Sequence, residues 1–288
     1  MSRMTSRYRL SSCAFERPEE KQRMVPKRVI VLAVEGDVTE RDYFSFLNDC
    51  LDSAILRIEV LCQKRGSGYS APLQVAELLQ EYLALREGEL LPKAAAEALW
   101  GKYSEERISA YLKDPAQLDE QTRREIYSDL LQMGIDLEYR RYLQEFNHET
   151  DFFAVVLDRD RKSHTREQLE SCIRLCRENG YGCFLSNPCF EFWLLLHLCD
   201  VEGEFSLEEQ QELLLNEKVS GRHTRVSREI SRRAHHKKHI TAPAFQKYYF
   251  PFIGAAIERA KKFAGRFPEL LDQLGTNLPE LFEKISFF

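Results

Sequence analysis

No stretch of this 288-residue chain reaches the ~18 uncharged apolar residues of a membrane helix, so no spanning segment and no membrane partner is expected. The longest apolar run, Phe192 to Cys199, is broken only by His197. Glycine and proline are sparse, at 13 and 10 residues, and neither a repeat nor a low-complexity segment is present. That excludes fibrous and wholly disordered chains. A surplus of positive charge is also missing: 41 Lys and Arg face 46 Asp and Glu, net −5. Bulk charge therefore does not hold a polyanion here, and such a partner must meet a local basic patch. The eight cysteines include no CxxC pair, and several lie in apolar runs where a reduced thiol acts as a small hydrophobe. Free thiols and a cytoplasmic setting are expected. The opening stretch MSRMTSRYRLSSC is basic without an apolar h-region, so no secretory signal is expected. A G-x-x-x-x-G-K-[ST] motif is absent, so ATP hydrolysis by a P-loop is not expected either.

What is there reads as alternating strands and helices. RVIVLAV (28–34) is a β-branched run suited to a strand buried on both faces, stopping at Glu35-Gly36. Thr39 can cap a following helix with Asp42 at N3, and Tyr43, Phe44, Leu47 and Leu51 follow at helical spacing. Strands are expected near Leu56 to Cys62, Phe153 to Leu157 and 181–187, with helices near Leu73 to Leu85 and Arg166 to Asn179. Asn187-Pro188 reads as N-cap and N1 of a helix that is apolar almost all round, CFEFWLLLHLC. This pattern implies an α/β fold with a mostly parallel sheet flanked by helices. The expected organisation is a flexible lead (1–27), a core (28–85 and 150–200), a helical insertion (86–149) and a helical C-terminal region (201–288).

In parallel sheets the functional residues gather at the carboxyl ends of strands. Three such ends carry polar residues: Glu35, Asp158 with Asp160, and Asn187. Residues i and i+2 of an extended chain share a face, so both aspartates can point into one crevice. If the two strands are neighbours, three carboxylates converge, which is unfavourable without a cation between them. Mg²⁺ or Mn²⁺ takes such hard oxygen ligands.

The stretch VIVLAVEGDVTERDYFSFL resembles the opening of TOPRIM-type folds, and specifically of RloB-like (AbiLii-like) proteins. Glu35, Gly36, Thr39, Glu40, Tyr43 and Phe44 match that family's E-G-x-x-T-E-x-x-Y-F pattern. DFFAVVLDRD matches its strand ending in D-R-D, and SNPCFEFWLLLH (186–197) is close to its most specific motif. GTNLPELFEKI resembles its closing segment more weakly. The motifs leave out 86–149, which receives no function from the likeness. The resemblance implies a TOPRIM-like sheet and metal-dependent phosphoryl transfer on nucleic acid, as an endonuclease of prokaryotic antiphage defence. It also implies a separate ABC- or AAA-type ATPase partner, and a homodimer is among the expected assemblies.

Under that reading Asp158 and Asp160 coordinate the metal, and Glu35 completes its shell or acts as general base. Glu191, one turn into the apolar helix, could reach a second metal or orient a catalytic side chain, or simply complement the helix N-terminus. Gly36, Asn187 and His197 are read as supporting residues, His197 as a core histidine. RHTRVSREISRRAHHKKH (222–239) is the basic patch. Its Arg222, Arg225, Arg228, Arg232, Arg233, Lys237 and Lys238 are candidates for a phosphate backbone, or for pairing with the acidic stretch 200–217. Two other functions compete. A dehalogenase-type phosphatase also uses strand-D-x-D but wants Thr or Ser where Lys162 stands. A non-catalytic, nucleic-acid-binding or regulatory subunit could keep the same fold.

Overall fold

The computed structural model describes residues 8–10, 27–36, 38–63, 71–144, 149–235 and 239–285. The chain divides into two compact units, one built on Gln80–Phe146, the other on Tyr8–Leu79 with Asn147–Phe288.

The larger unit holds a six-stranded sheet. Its strands are β1 (Tyr8–Leu10), β2 (Arg28–Val34), β3 (Leu56–Gln63), β4 (Phe152–Asp158), β5 (Gly182–Asn187) and β6 (Gly275–Thr276). In space they run β1-β3-β2-β4-β5-β6. The four inner strands are parallel, and the short edge strands β1 and β6 are antiparallel to their neighbours. This is the expected α/β, mostly parallel arrangement, consistent with a TOPRIM-like sheet. Two strands were not expected. Tyr8–Leu10 lies inside the stretch read as a flexible lead, and its backbone closes the open edge of β3. Gly275–Thr276 returns from the helical C-terminal region to pair with Ser186 and Asn187. A Cβ on Gly275 would lie 1.9 Å from the Ala264 carbonyl oxygen, so only glycine lets the two backbones approach.

Helix α1 (Thr39–Asp49) joins β2 to β3, and α2 (Pro72–Glu87) follows β3. The smaller unit carries α3 (Lys93–Trp100), α4 (Glu105–Lys113), α5 (Glu120–Gln132) and α6 (Leu137–Gln144). It has its own apolar cluster, including Leu99, Ile108, Tyr111, Ile126 and Leu130. Helix α7 (Arg166–Glu178) joins β4 to β5, and α8 (Phe190–Leu198) follows β5. The C-terminal region adds α9 (Val201–Glu204), α10 (Leu207–Leu215), α11 (Arg225–Ala234), α12 (Ala242–Tyr248), α13 (Ile253–Ala260) and α14 (Leu278–Ile285).

Both faces of the sheet are covered, as the unbroken apolar runs require. Ile30, Leu32, Val34, Val60 and Val156 share one cluster with α1, α8 and the C-terminal helices. The alternate residues Val29, Val31, Ala33, Val155 and Leu157 are buried outside it, as the two-residue period of a strand dictates. Helix α8 is buried almost all round: Phe190 and every residue from Phe192 to His197 are covered. Two local expectations are corrected. Thr39 does not cap α1; Val38 holds that position without a side-chain bond. Asn187 does not cap α8 but ends β5, and Cys189 is the capping residue. The Asn187 amide is used inward instead, donating to Leu270 O at 2.9 Å.

Candidate functional site

From β2 the chain passes through α1 to β3 on one side, while β4 pairs with β2 on the other. Such a reversal opens a crevice at the carboxyl ends of the two strands. Glu35 and Asp158 stand there. The Glu35 N–H donates to Val156 O at 3.2 Å, extending the ladder. The Asp158 N–H donates back to Glu35 Oε2, also at 3.2 Å. Glu35 Oε1 lies 2.8 Å from His164 Nε2. Asp158 Oδ1 accepts the N–H of Phe190, the first residue of α8, at 2.7 Å. That carboxylate therefore rests on a helix N-terminus, where unpaired N–H groups and the dipole favour an anion.

Two further acids come from the first turns of α1 and α8. Glu40 is buried, and its carboxylate folds back to accept the N–H groups of Gly36 and of Glu40 itself. This bond replaces the cap that Thr39 does not make. It also explains Gly36: a Cβ there would lie 2.1 Å from Glu40 Oε2. Gly36→Ala is therefore expected to displace the Glu40 carboxylate and lower stability by about 1–3 kcal/mol, read as a shifted urea midpoint with unchanged slope. Glu191 is half-buried in the first turn of α8. Its carboxylate accepts a bond from the Cys189 thiol. Burial, then the charges of Glu191 and Asp158, hold that thiol well above its ordinary pKa, so it is a neutral donor.

The four acids feel one another. Burial first, then the charge of Glu191 with a smaller part from Glu35, pushes Glu40 up to about 8. Burial, followed by Glu40, Glu35 and Glu191, drives Asp158 well above the usual carboxylate range. Burial opposes a charge on His164, but its bond to Glu35 and the charges of Glu35 and Asp160 outweigh that and raise its pKa. Aromatic packing fixes the helices that carry Glu40 and Glu191. Tyr43 and Phe44 of α1 meet Phe190 of α8 with ring centroids 5.5 and 5.7 Å apart. His197 belongs to this floor: its Nε2 lies 3.1 Å from the Tyr43 hydroxyl and its Nδ1 2.9 Å from Trp193 O. Burial lowers its pKa to about 3, so it is a neutral core histidine, as expected.

Asp160 lies beyond the end of the strand. Strand β4 ends at Asp158, so the i, i+2 argument for a shared face does not reach it. Its Oδ1 accepts the Lys162 N–H at 3.1 Å and its Oδ2 the Ser163 hydroxyl at 2.8 Å. Among the described residues, no group of three or more His, Cys, Asp and Glu side chains stands ready to hold a metal ion. Glu35 and Asp158 are already turned to protein donors. The donor chemistry nevertheless suits a hard divalent cation: four carboxylates, two of them raised by burial and by one another. Glu35, Glu40, Asp158 and Glu191 are the residues that could hold it.

The family model described as RloB-like protein matches residues 30–285, which span this whole site. The chain belongs to the RloB-like family. No curated protein and no solved structure matches it.

Two residues of this candidate site, Glu40 and His164, had no role assigned from the sequence. Glu40 was visible in the E-G-x-x-T-E match, but only the fold shows its carboxylate turned back over Gly36. His164 sits in a polar loop, and no spacing marks it. The basic stretch is divided by the structure. Arg225 is buried among acids: Nε lies 2.9 Å from Glu212, Nη1 contacts Glu229, and Nη2 lies 3.8 Å from Glu209. Arg232 lies 2.7 Å from Glu229, and Arg233 2.9 Å from Glu204. These three are thus tied to α9, α10 and to α11 itself, which is the acidic pairing weighed above. Arg222 and Arg228 are exposed, and Lys237 and Lys238 lie outside the described residues. Replacing Arg225 by Ala leaves the buried Glu229 short of a partner. The expected cost is about 1–3 kcal/mol, checked by chemical denaturation.

Proposed function

We propose that this chain is a divalent-cation-dependent endonuclease. It hydrolyses phosphodiester bonds of RNA, with tRNA as one candidate, or of DNA. Its setting is a prokaryotic antiphage or abortive-infection system with a separate ABC- or AAA-type ATPase as sensor. The observation that supports this is the convergence of Glu35, Glu40, Asp158 and Glu191 at the switch point of the sheet, where Asp158 and Glu40 are pushed upward by burial and like charge. Acids so arranged hold protons or share a cation.

Glu35 and Asp158, with Glu40 and Glu191 from the two first turns, would hold Mg²⁺ or Mn²⁺. When bound, the cation would lower the pKa of a water and neutralise charge on the phosphoryl oxygens. Glu35, oriented by two donors, would either complete the cation's shell or take the proton of an attacking water. The aromatic floor of Tyr43, Phe44 and Phe190 keeps α1 and α8, and so Glu40 and Glu191, in register. Exposed Arg222 and Arg228 are the described members of the basic stretch left for a phosphate backbone. Replacing either should reduce the salt slope of nucleic-acid binding by about 1, whereas an Arg225 change acts on stability.

A second reading, a non-catalytic nucleic-acid-binding or regulatory subunit, draws on one observation. Glu35 and Asp158 are satisfied by protein donors as they stand. The two separate by incubating the purified protein with plasmid, single-stranded DNA and total tRNA, in Mg²⁺, Mn²⁺ or EDTA, alone and with any ABC- or AAA-type ATPase found encoded beside it. Cleavage that needs the cation and disappears in Asp158→Asn supports the nuclease. Intact substrates under every condition, the ATPase included, support the regulatory subunit.

A further inference from the structure

Asp160 and Arg159 do not enter the acid cluster, yet they are tightly organised. The N–H groups of Ser163 and His164 both donate to Asp160 O at 2.9 Å, closing a turn. The Asp160 carboxylate caps that turn from inside, through the Lys162 N–H and the Ser163 hydroxyl. Buried Arg159 ties it down from outside: Nη1 donates to His164 O at 3.0 Å and Nε to Leu271 O at 2.8 Å. Two of these bonds hold the His164 backbone directly, through its N–H and its carbonyl oxygen, and the others close the turn that leads to it; its Nε2 meets Glu35 Oε1 at 2.8 Å.

The His164 side chain is only 2% exposed. A ring so covered does not reach a substrate phosphate unless the turn opens, so any part it plays passes through Glu35. The other Glu35 oxygen accepts the Asp158 N–H. Two donors, the Asp158 backbone N–H and the His164 ring, therefore set both the plane and the aim of that carboxylate. Groups that orient a ligating carboxylate from behind typically matter about 10–100-fold in metal affinity or activity.

We propose that His164 is a positioning residue for Glu35, and that Arg159 and Asp160 are its mount. The second aspartate of D-R-D then acts indirectly, by holding a turn, and its charge is dispensable. This rests on the reading of Glu35 and Asp158 as cation-holding acids.

The test is Mn²⁺ affinity, measured by calorimetry on the full chain, with circular dichroism to verify the fold. His164→Leu is expected to weaken Mn²⁺ binding by about 10–100-fold. His164→Gln, which keeps an N–H near the place of Nε2, is expected to restore most of it. Asp160→Asn keeps one acceptor for the Lys162 N–H, and its amide N–H can donate to a rotated Ser163 hydroxyl, so the turn survives the loss of charge and binding should be nearly as wild type. Asp160→Ala breaks the turn and should weaken binding, but the Asp160→Ala/His164→Leu double variant should be no worse than His164→Leu alone, because both act through one group. Unchanged affinity in His164→Leu, or a large loss in Asp160→Asn that adds in full to it, overturns the proposal. Glu35→Gln and Asp158→Asn separate the two readings. If they keep wild-type affinity, or wild type binds no Mn²⁺, the acid-site reading itself fails. If they lose binding while His164→Leu does not, only the positioning role fails.

Discussion

Asp158→Asn is expected to reduce cation-dependent phosphodiester cleavage on the order of 10²–10³-fold, the range for deleting one preorganised charge-stabilising group. Asp160→Asn should leave most of the activity. The contrast follows from where β4 ends. Asp158 closes the strand beside Glu35 and rests on the N-terminus of α8, whereas Asp160 is occupied inside the turn to His164. Stability should not follow activity. Burial and three neighbouring acids hold Asp158 well above the usual carboxylate range, and Asn offers the same oxygen to the Phe190 N–H without a charge. The melting temperature of the variant should equal or exceed that of wild type. A matched loss of activity and of melting temperature would mean that Asp158 is structural. Equal losses in Asp158→Asn and Asp160→Asn would return Asp160 to the site.

The second large effect is a pH-dependent stabilisation by divalent cations. Glu40 is held up at about 8, mainly by burial and then by Glu191, against an ordinary value of 4.5. A carboxyl whose pKa is higher folded than unfolded binds its proton more tightly in the native state. Its contribution to stability is fully present below pH 4.5 and is lost as pH rises to about 8. Asp158 acts in the same direction. Without divalent cations the protein should therefore lose stability between those pH values, by on the order of a few kcal/mol, since one pKa unit is about 1.4 kcal/mol. Mg²⁺ or Mn²⁺ should reverse the loss at pH 8 and do little near pH 5, because deprotonated carboxylates are the ligands. At about 100 times the dissociation constant the gain would be ~2.7 kcal/mol. Glu40→Gln should flatten the pH slope and raise metal-free stability at pH 8. Thermal melts across this range, with EDTA and with Mn²⁺, decide it. A cation effect of equal size at pH 5 and pH 8 would place binding outside this cluster.

The inner strands were legible because their apolar runs are continuous, and a strand covered on both faces has no other way to satisfy that surface. Arg28–Val34 is predicted to the residue, and the other three inner strands to within a residue or so. The edge strands were not legible. Tyr8–Leu10 and Gly275–Thr276 are three and two residues long, and backbone pairing with a neighbour defines them, not periodicity. Within the site, Glu35 and Asp158 could be named because they sit where strands stop. Asp160 was included by extending the strand's two-residue period past its end. Glu40 stood in a matched motif, but its carboxylate folds back against Gly36, and that contact has no periodic signature. His164 reaches Glu35 across 129 residues of chain.

By itself the amino-acid sequence determined the α/β class, the helix that is apolar on every side, and the strand ends at which acids stand. It could do so because local periodicity is set by the geometry of one segment. The pairing of β2 with β4, the gathering of four carboxylates, and the division of the arginine-rich stretch into buried Arg225 and exposed Arg222 and Arg228 were decided only by tertiary structure. Those features depend on which distant groups share a neighbourhood. Burial and like charge act through space, and no spacing along the chain encodes them.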